Sequence, residues 1–212
     1  MQPRNTQMPG WLEESQVIEK FKPLFGTGVD ADAKSFSEAA LALISVFDLI
    51  SGMGIASGDM KGNANTVLGL ASAGGTLKSL VDTECEGKSA AELKAISLDG
   101  KTATCALLWL GRALNFILKM LKELIENPGK KLSDCVYAGY EVSLRPHHGM
   151  MIRGTFSVAV KAAPYREAFI AKLGPSEESV FAAVSEQMPA LETLVGAMST
   201  HLVSKDAKLF AP

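Results

Sequence analysis

The sequence predicts an all-α chain, and three observations carry that prediction. Ala and Leu are the commonest of its 212 residues and Lys and Glu are plentiful, which together with Met are strong helix formers. No segment alternates apolar and polar residues between hairpin turn signals, as a half-buried strand does. Apolar residues return instead at the helical period: Phe36, Ala40, Leu43, Phe47 and Ile50 land on one stripe. With 47% hydrophobic residues and no repeat or linker, the chain has material for one core.

The first ten residues read as a disordered arm, and residues 11–212 as a single domain. Trp11 to Phe25 reads as a short amphipathic helix, broken by Gly26 to Asp30. A second helix spans about Ser35 to Ile50, and the small residues of Ser51 to Gly58 form a turn. The next stretch, Ser57 to Leu77, organises the reading. Ser57 or Gly58 caps a helix that places Asp59 in its first turn, where the macrodipole favours a carboxylate. Asp59, Asn63, Thr66, Leu70 and Leu77 then share one stripe that begins polar and ends apolar. A helix serving only a core would be apolar at Asp59 and Asn63, because burying an unpaired polar group costs on the order of 2–7 kcal/mol. The stripe therefore reads as one wall of a site for an amphiphile.

Asp82 to Thr102 is a charged surface excursion holding one short helix, AAELKAI. Ala103 to Glu126 is apolar on almost every face, so it must lie at the centre of the fold, and ENPGKK ends it. Ser133 to Ala163 carries a long helical pattern in which Pro146 forces a kink or boundary, with His148 just past it. Pro164 opens a helix closed by Gly174. Pro175 and Ser176 start another, and Pro189 the last, which runs to about Ser204. The total is about eight helices with short connections.

Several function classes drop out. A net charge of −2 with interspersed signs provides no basic face for nucleic acid. The most apolar windows, Ala39 to Phe47 and Ala103 to Leu118, are broken by Asp48 and Arg112 and fall short of the ~18–20 residues of a membrane span. The N-terminus has no secretory apolar region. Three cysteines, Cys85, Cys105 and Cys135, without metal-ligand spacing fit buried thiols in a reducing, cytosolic setting, and no metal or cofactor is expected. There is no G-x-S-x-G elbow, no H-E-x-x-H and no second carboxylate at helical spacing, so no catalytic residue is assigned and an enzyme is not expected.

Polar chemistry concentrates in three places. Asn63 adds two donors and an acceptor one turn beyond the Asp59 carboxylate, a set suited to hydroxyl-rich ligands. Trp109, Arg112 and Phe116 share a face of the apolar helix, and the Arg112 guanidinium there demands an acceptor, with Asp59, Glu84 and Glu86 as candidates. His147 and His148 point about 100° apart on a helix and make no joint metal site, while Leu144, His148, Met151 and Phe156 share one side.

These residues resemble a family. GDMKGN resembles the D-I-x-G-N motif of the glycolipid transfer proteins, and TCALLWLGRALNFI resembles their L-L-W-L-x-R-x-L-x-F helix. LRPHHGMMIRGTFSVAVKAAPYREAFIAKL resembles their H-G-W block followed by A-A-P-Y. The resemblance covers most of Asp59 to Leu173 and implies a two-layer all-α fold holding one sphingolipid, its sugar at a surface site and its ceramide chains in an apolar pocket. It implies that Asp59 bonds the ceramide amide and a sugar hydroxyl, Asn63 bonds further hydroxyls, Trp109 stacks on the first sugar and His148 bonds the ceramide carbonyl. Thr66 and Arg112 complete the expected headgroup set. Phe47, Ile50, Phe116, Leu144, Phe156, Phe169 and Leu173 form the expected chain pocket.

Two departures stand out. Thr66 replaces a family lysine, and Met150 replaces an aromatic residue that helps dock on membranes, which implies adsorption that is weaker or routed through other residues such as Trp11. The ceramide-1-phosphate branch has basic residues where this chain has Asn63 and Trp109, which favours a neutral sugar. The implied activity is transfer of a glycosylceramide between membranes by a cytoplasmic, monomeric protein that adsorbs transiently. Ceramide-1-phosphate transfer, kept open by Arg112 and Thr66, or sphingolipid sensing without transfer are the alternatives.

Overall fold

The computed structural model describes residues 9–211. Residues 1–8 of the expected N-terminal arm lie outside the described residues. Gly10, its last residue, is docked: a Cβ there would come within 2.5 Å of the Gly174 Cα.

The described residues form eleven α-helices: α1 Trp11–Ser15, α2 Val17–Phe21, α3 Ala33–Ile44, α4 Gly54–Leu70, α5 Leu77–Cys85, α6 Ala90–Leu98, α7 Ala103–Glu126, α8 Leu132–Ser143, α9 Met150–Ala159, α10 Arg166–Leu173 and α11 Glu177–Val203. No strand occurs among them beyond one isolated bridge between Asp32 and Thr76. The helices make a two-layer sandwich organised on α7, which touches α3, α4, α5, α6, α8 and α11. By length and composition α7 could cross a membrane, but 83% of its most apolar window is buried inside the fold. Burial on all sides is why its sequence is apolar all round.

The start of the central helix is explained by local chemistry. The Thr102 hydroxyl accepts from the Cys105 amide, and the Glu84 carboxylate accepts from the amides of Ala103 and Thr104 at 2.8 Å each. Three donors that no helical carbonyl can reach are thereby satisfied. Along its length, α8 crosses at backbone contact, because a Cβ on Gly139 would sit 2.8 Å from the Met120 nitrogen and 3.0 Å from the Phe116 oxygen.

The expected eight helices become eleven for identifiable reasons. The first amphipathic segment splits at Gln16, a left-handed residue with φ 53°, into α1 and α2. The stretch expected to be helical from Ser57 to Leu77 ends at Leu70, after which a Thr76–Ser79 capping box starts α5. Leu77 thus leaves the stripe. Within Ser51–Gly58 only the start turns. Gly52, at φ 88°, lies so close to the Ala159 carbonyl that any side chain would collide, and α4 begins at Gly54. Asp59 therefore lies in the second turn, beyond the strongest reach of the helix dipole. The Ser133–Ala163 pattern does break at Pro146, inside a short 3-10 turn between α8 and α9.

Pro189, expected to start a helix, lies within α11. Its missing N–H deprives only the Ser185 carbonyl, and both residues are exposed, so water can replace that bond.

Candidate functional site

Trp109 and Arg112 of α7 meet His147 and His148 of the turn before α9, Tyr140 of α8 packs on His148, and α4, which carries Asp59, Asn63 and Thr66, packs along α7. The Trp109 and His148 rings lie 5.7 Å apart at 23°, and His147 approaches the same indole edge-on at 6.4 Å. The Tyr140 hydroxyl is 3.1 Å from His148 Nδ1. Burial pushes the His148 imidazole below its ordinary pKa, while the Asp59 carboxylate pulls the other way. That opposition places the acid within electrostatic reach of the ring. His148 is thus a neutral group at pH 7, able to offer one N–H and one acceptor.

The α4 residues are open to solvent to different degrees. Asp59 is exposed, and Asn63 and Thr66 are half-buried one and two turns on. The Asn63 amide nitrogen donates to the Asp59 carbonyl at 3.1 Å, and the Thr66 hydroxyl to the Gly62 carbonyl at 3.1 Å. The face of α4 that packs inward carries Ser57, Met60, Ala64 and Val67 instead. The Ser57 hydroxyl and Lys61 both donate to Asp48, which fastens the preceding turn to the helix.

Arg112 departs from expectation. Its terminal nitrogen donates to the Ala211 carbonyl at 2.6 Å, its guanidinium carbon lies 4.8 Å from the Trp109 ring centre, and its Nε is buried without a partner. Of the three carboxylates considered as acceptors, Glu84 is occupied in capping α7. Burial lowers the Arg112 pKa to about 10, so it stays charged.

Beneath these polar groups lies an aromatic floor. Phe47 stacks on Phe116 at 5.1 Å, Phe156 meets Phe116 at 5.8 Å, and Tyr140 stacks on Phe156 at 3.7 Å. Ile50 and Leu144 are buried in the same core. Phe169 and Leu173 are also buried, but on α10, whose neighbours are α1 and α11, and no ring contact among the described residues joins Phe169 to the floor. Tyr140 was missed in the sequence, although its spacing from Leu144 is the helical i, i+4 pair that could have flagged it.

A separate apolar cavity of about 50 Å³ lies under α1 and α2, lined among others by Trp11, Phe21, Leu43, Leu118 and Met188. Trp11 is buried there with its indole N–H donating to the Ser45 hydroxyl at 2.7 Å, so it is not a surface anchor. Exposed apolar side chains on the same elements include Met150 (89%), Met151 and Ile152 on α9 and Ile55 on α4. All three cysteines are free and buried, and no cluster of metal-binding side chains occurs among the described residues.

Comparison with known proteins identifies the family. The family described as Glycolipid transfer protein (GLTP) matches residues 31–175. The chain is 32% identical over 179 residues to a glycolipid transfer protein of Aureobasidium melanogenum, covering 82% of this chain and 84% of that one. Its fold is similar to the crystal structure of HET-C2, a fungal glycolipid transfer protein, with a TM-score of 0.72 and 30% identity over 91% of this chain and 99% of that one. It is also similar in fold to human ceramide-1-phosphate transfer protein in complex with 12:0 ceramide-1-phosphate, with a TM-score of 0.74 at 20% identity, covering 93% and 98% of the two chains. The helical sandwich, the motif-bearing helices and these relatives agree: the chain belongs to the glycolipid transfer protein family, whose members are lipid transfer proteins and not enzymes.

Proposed function

We propose that this protein carries a sphingolipid with a neutral sugar headgroup between membrane surfaces, residues 11–212 acting as one domain. The observation that carries the reading is the convergence of Asp59, Trp109 and His148, from α4, α7 and the α8–α9 turn, over the floor of Phe47, Phe116, Phe156 and Tyr140. Asp59 accepts from the ceramide amide and a sugar hydroxyl, Asn63 and Thr66 bond further hydroxyls, Trp109 presents its indole to the sugar ring, and His148 donates to the ceramide carbonyl. Ile50, Leu144, Phe169 and Leu173 shield the chains with the floor. Shielding is the large term, at about 0.8 kcal/mol per buried CH₂. Headgroup bonds select, since leaving a buried partner unpaired costs about 1–3 kcal/mol.

A neutral sugar is favoured over a phosphate by the amide at Asn63, the indole at Trp109 and the engagement of Arg112 with Ala211. The similarity to the Aureobasidium relative points the same way. Adsorption runs through Met150, Met151, Ile152 and Ile55, and the three free thiols support a cytosolic setting.

The test is transfer of labelled glucosylceramide, against labelled ceramide-1-phosphate, between phosphatidylcholine vesicles. Asp59→Val and Trp109→Ala are expected each to cut glucosylceramide transfer at least about tenfold, a loss of roughly 1.4 kcal/mol, with helix content unchanged. Near-normal transfer by both variants removes the site assignment. Binding without transfer by the parent protein makes it a sensor, and preference for the phosphate lipid overturns the sugar reading.

A further inference from the structure

We infer that Arg112 and the segment after α11 form a brace that fixes the plane of the Trp109 indole, making Arg112 a positioning residue for headgroup selection. The inference rests on the sugar-site reading above and deepens it.

Arg112 stands one turn beyond Trp109 on α7, with its guanidinium 4.8 Å from the indole centre and only 8% of its surface exposed. Its one described hydrogen bond reaches across 99 positions of sequence to the Ala211 carbonyl, at 2.6 Å. That carbonyl is itself held by an anchored segment. Asp82 on α5 accepts from His201 at 2.9 Å and from Lys205 at 2.6 Å, which pins the end of α11. Asp206 then turns the chain by accepting from the amides of Lys208 and Leu209 at 2.8 and 3.0 Å, and Phe210 is fully buried. A planar guanidinium can lie over a ring and donate in its own plane at once, which a lysine ammonium cannot. A stacked sugar is read through ring orientation, so whatever sets the indole plane sets selectivity. Burying a cation with an unpaired Nε is costly for a residue that merely fills space.

The experiment uses the full chain in a Trp11→Phe background, where Trp109 is the sole tryptophan. Acrylamide quenching and anisotropy of Trp109 are measured without lipid, and binding to phosphatidylcholine vesicles containing glucosylceramide is measured separately. Arg112→Met and Phe210→Ala are each expected to raise quenching, lower anisotropy and weaken binding about tenfold. The double variant is expected to be no weaker than either single one, because both cut the same brace. Arg112→Lys is expected not to restore the signal. Phe210→Leu provides a milder release should Phe210→Ala unfold by circular dichroism. Unchanged Trp109 quenching in Arg112→Met overturns the brace. Weak binding by Arg112→Met with normal binding and quenching in both Phe210 variants also overturns it, and makes Arg112 a direct headgroup contact. The lipid-free arm decides the brace and the parent's lipid binding decides the sugar-site reading, so the two fail separately.

Discussion

His148 is the residue whose chemistry is easiest to follow outside a transfer assay. Burial is the largest cause of its lowered pKa, His147, Arg112 and Arg153 add to it, and Asp59 opposes it. A histidine that is harder to protonate when folded leaves stability intact above its unfolded pKa of about 6.5 and loses it as pH falls from there toward the lower folded value. Thermal melts are therefore expected to drop as pH falls below about 6.5, and His148→Gln to flatten that part of the curve. A slope that persists in His148→Gln assigns it to other groups. At this scale the sequence was partly legible. Arg112 announced its need for an acceptor, because a cation in an apolar helix always has one. That the acceptor is a backbone carbonyl near the other end of the chain depends on how α11 returns past α7, which local spacing does not encode.

Helices legible from sequence were those whose burial is one-sided or complete. Ala103–Glu126 matches its expected bounds, since apolarity on every face leaves no other home for it. The α4 stripe was extended too far because helical spacing carries on numerically past Leu70, where the extended backbone of Ala71 stops the helix physically. Pro189 misled for the opposite reason, its broken bond facing water rather than the core. The element-scale prediction concerns Gly139. Glycine to a larger residue in a helix interior normally gains up to about 1 kcal/mol. Here the sign reverses, because the new side chain meets the backbone of α7 at 2.8 Å. Gly139→Leu is expected to destabilise by about 3 kcal/mol, read as a lower urea midpoint. A midpoint equal to the parent's shows that α7 and α8 separate freely.

For the whole molecule, the near-balanced charge of −2 leaves apolar contact as the force that brings it to a bilayer. Met150 and Met151 stand 89% and 85% exposed at the start of α9, beside the proposed headgroup site. The double change Met150→Glu and Met151→Glu is expected to reduce vesicle co-sedimentation several-fold while glucosylceramide binding from detergent micelles stays normal. Loss of both places these methionines inside the binding site instead. The two-layer class was legible because motif blocks in fixed order carry more information than any stripe. The floor was legible in part: Phe47, Phe116 and Phe156 meet although they come from three separate segments, while Phe169 and Leu173 are buried in the same core without a ring contact to them.

The buried thiols turn the fold into its own stopwatch. Cys85, Cys105 and Cys135 ride on α5, α7 and α8, and burial keeps each protonated, so alkylation must wait for a local opening. Modification rates then time three helices independently. Cys135, completely covered where α8 presses on α7, is expected to react last; if sugar-lipid vesicles speed that site alone, the hinge of cargo entry lies along this crossing.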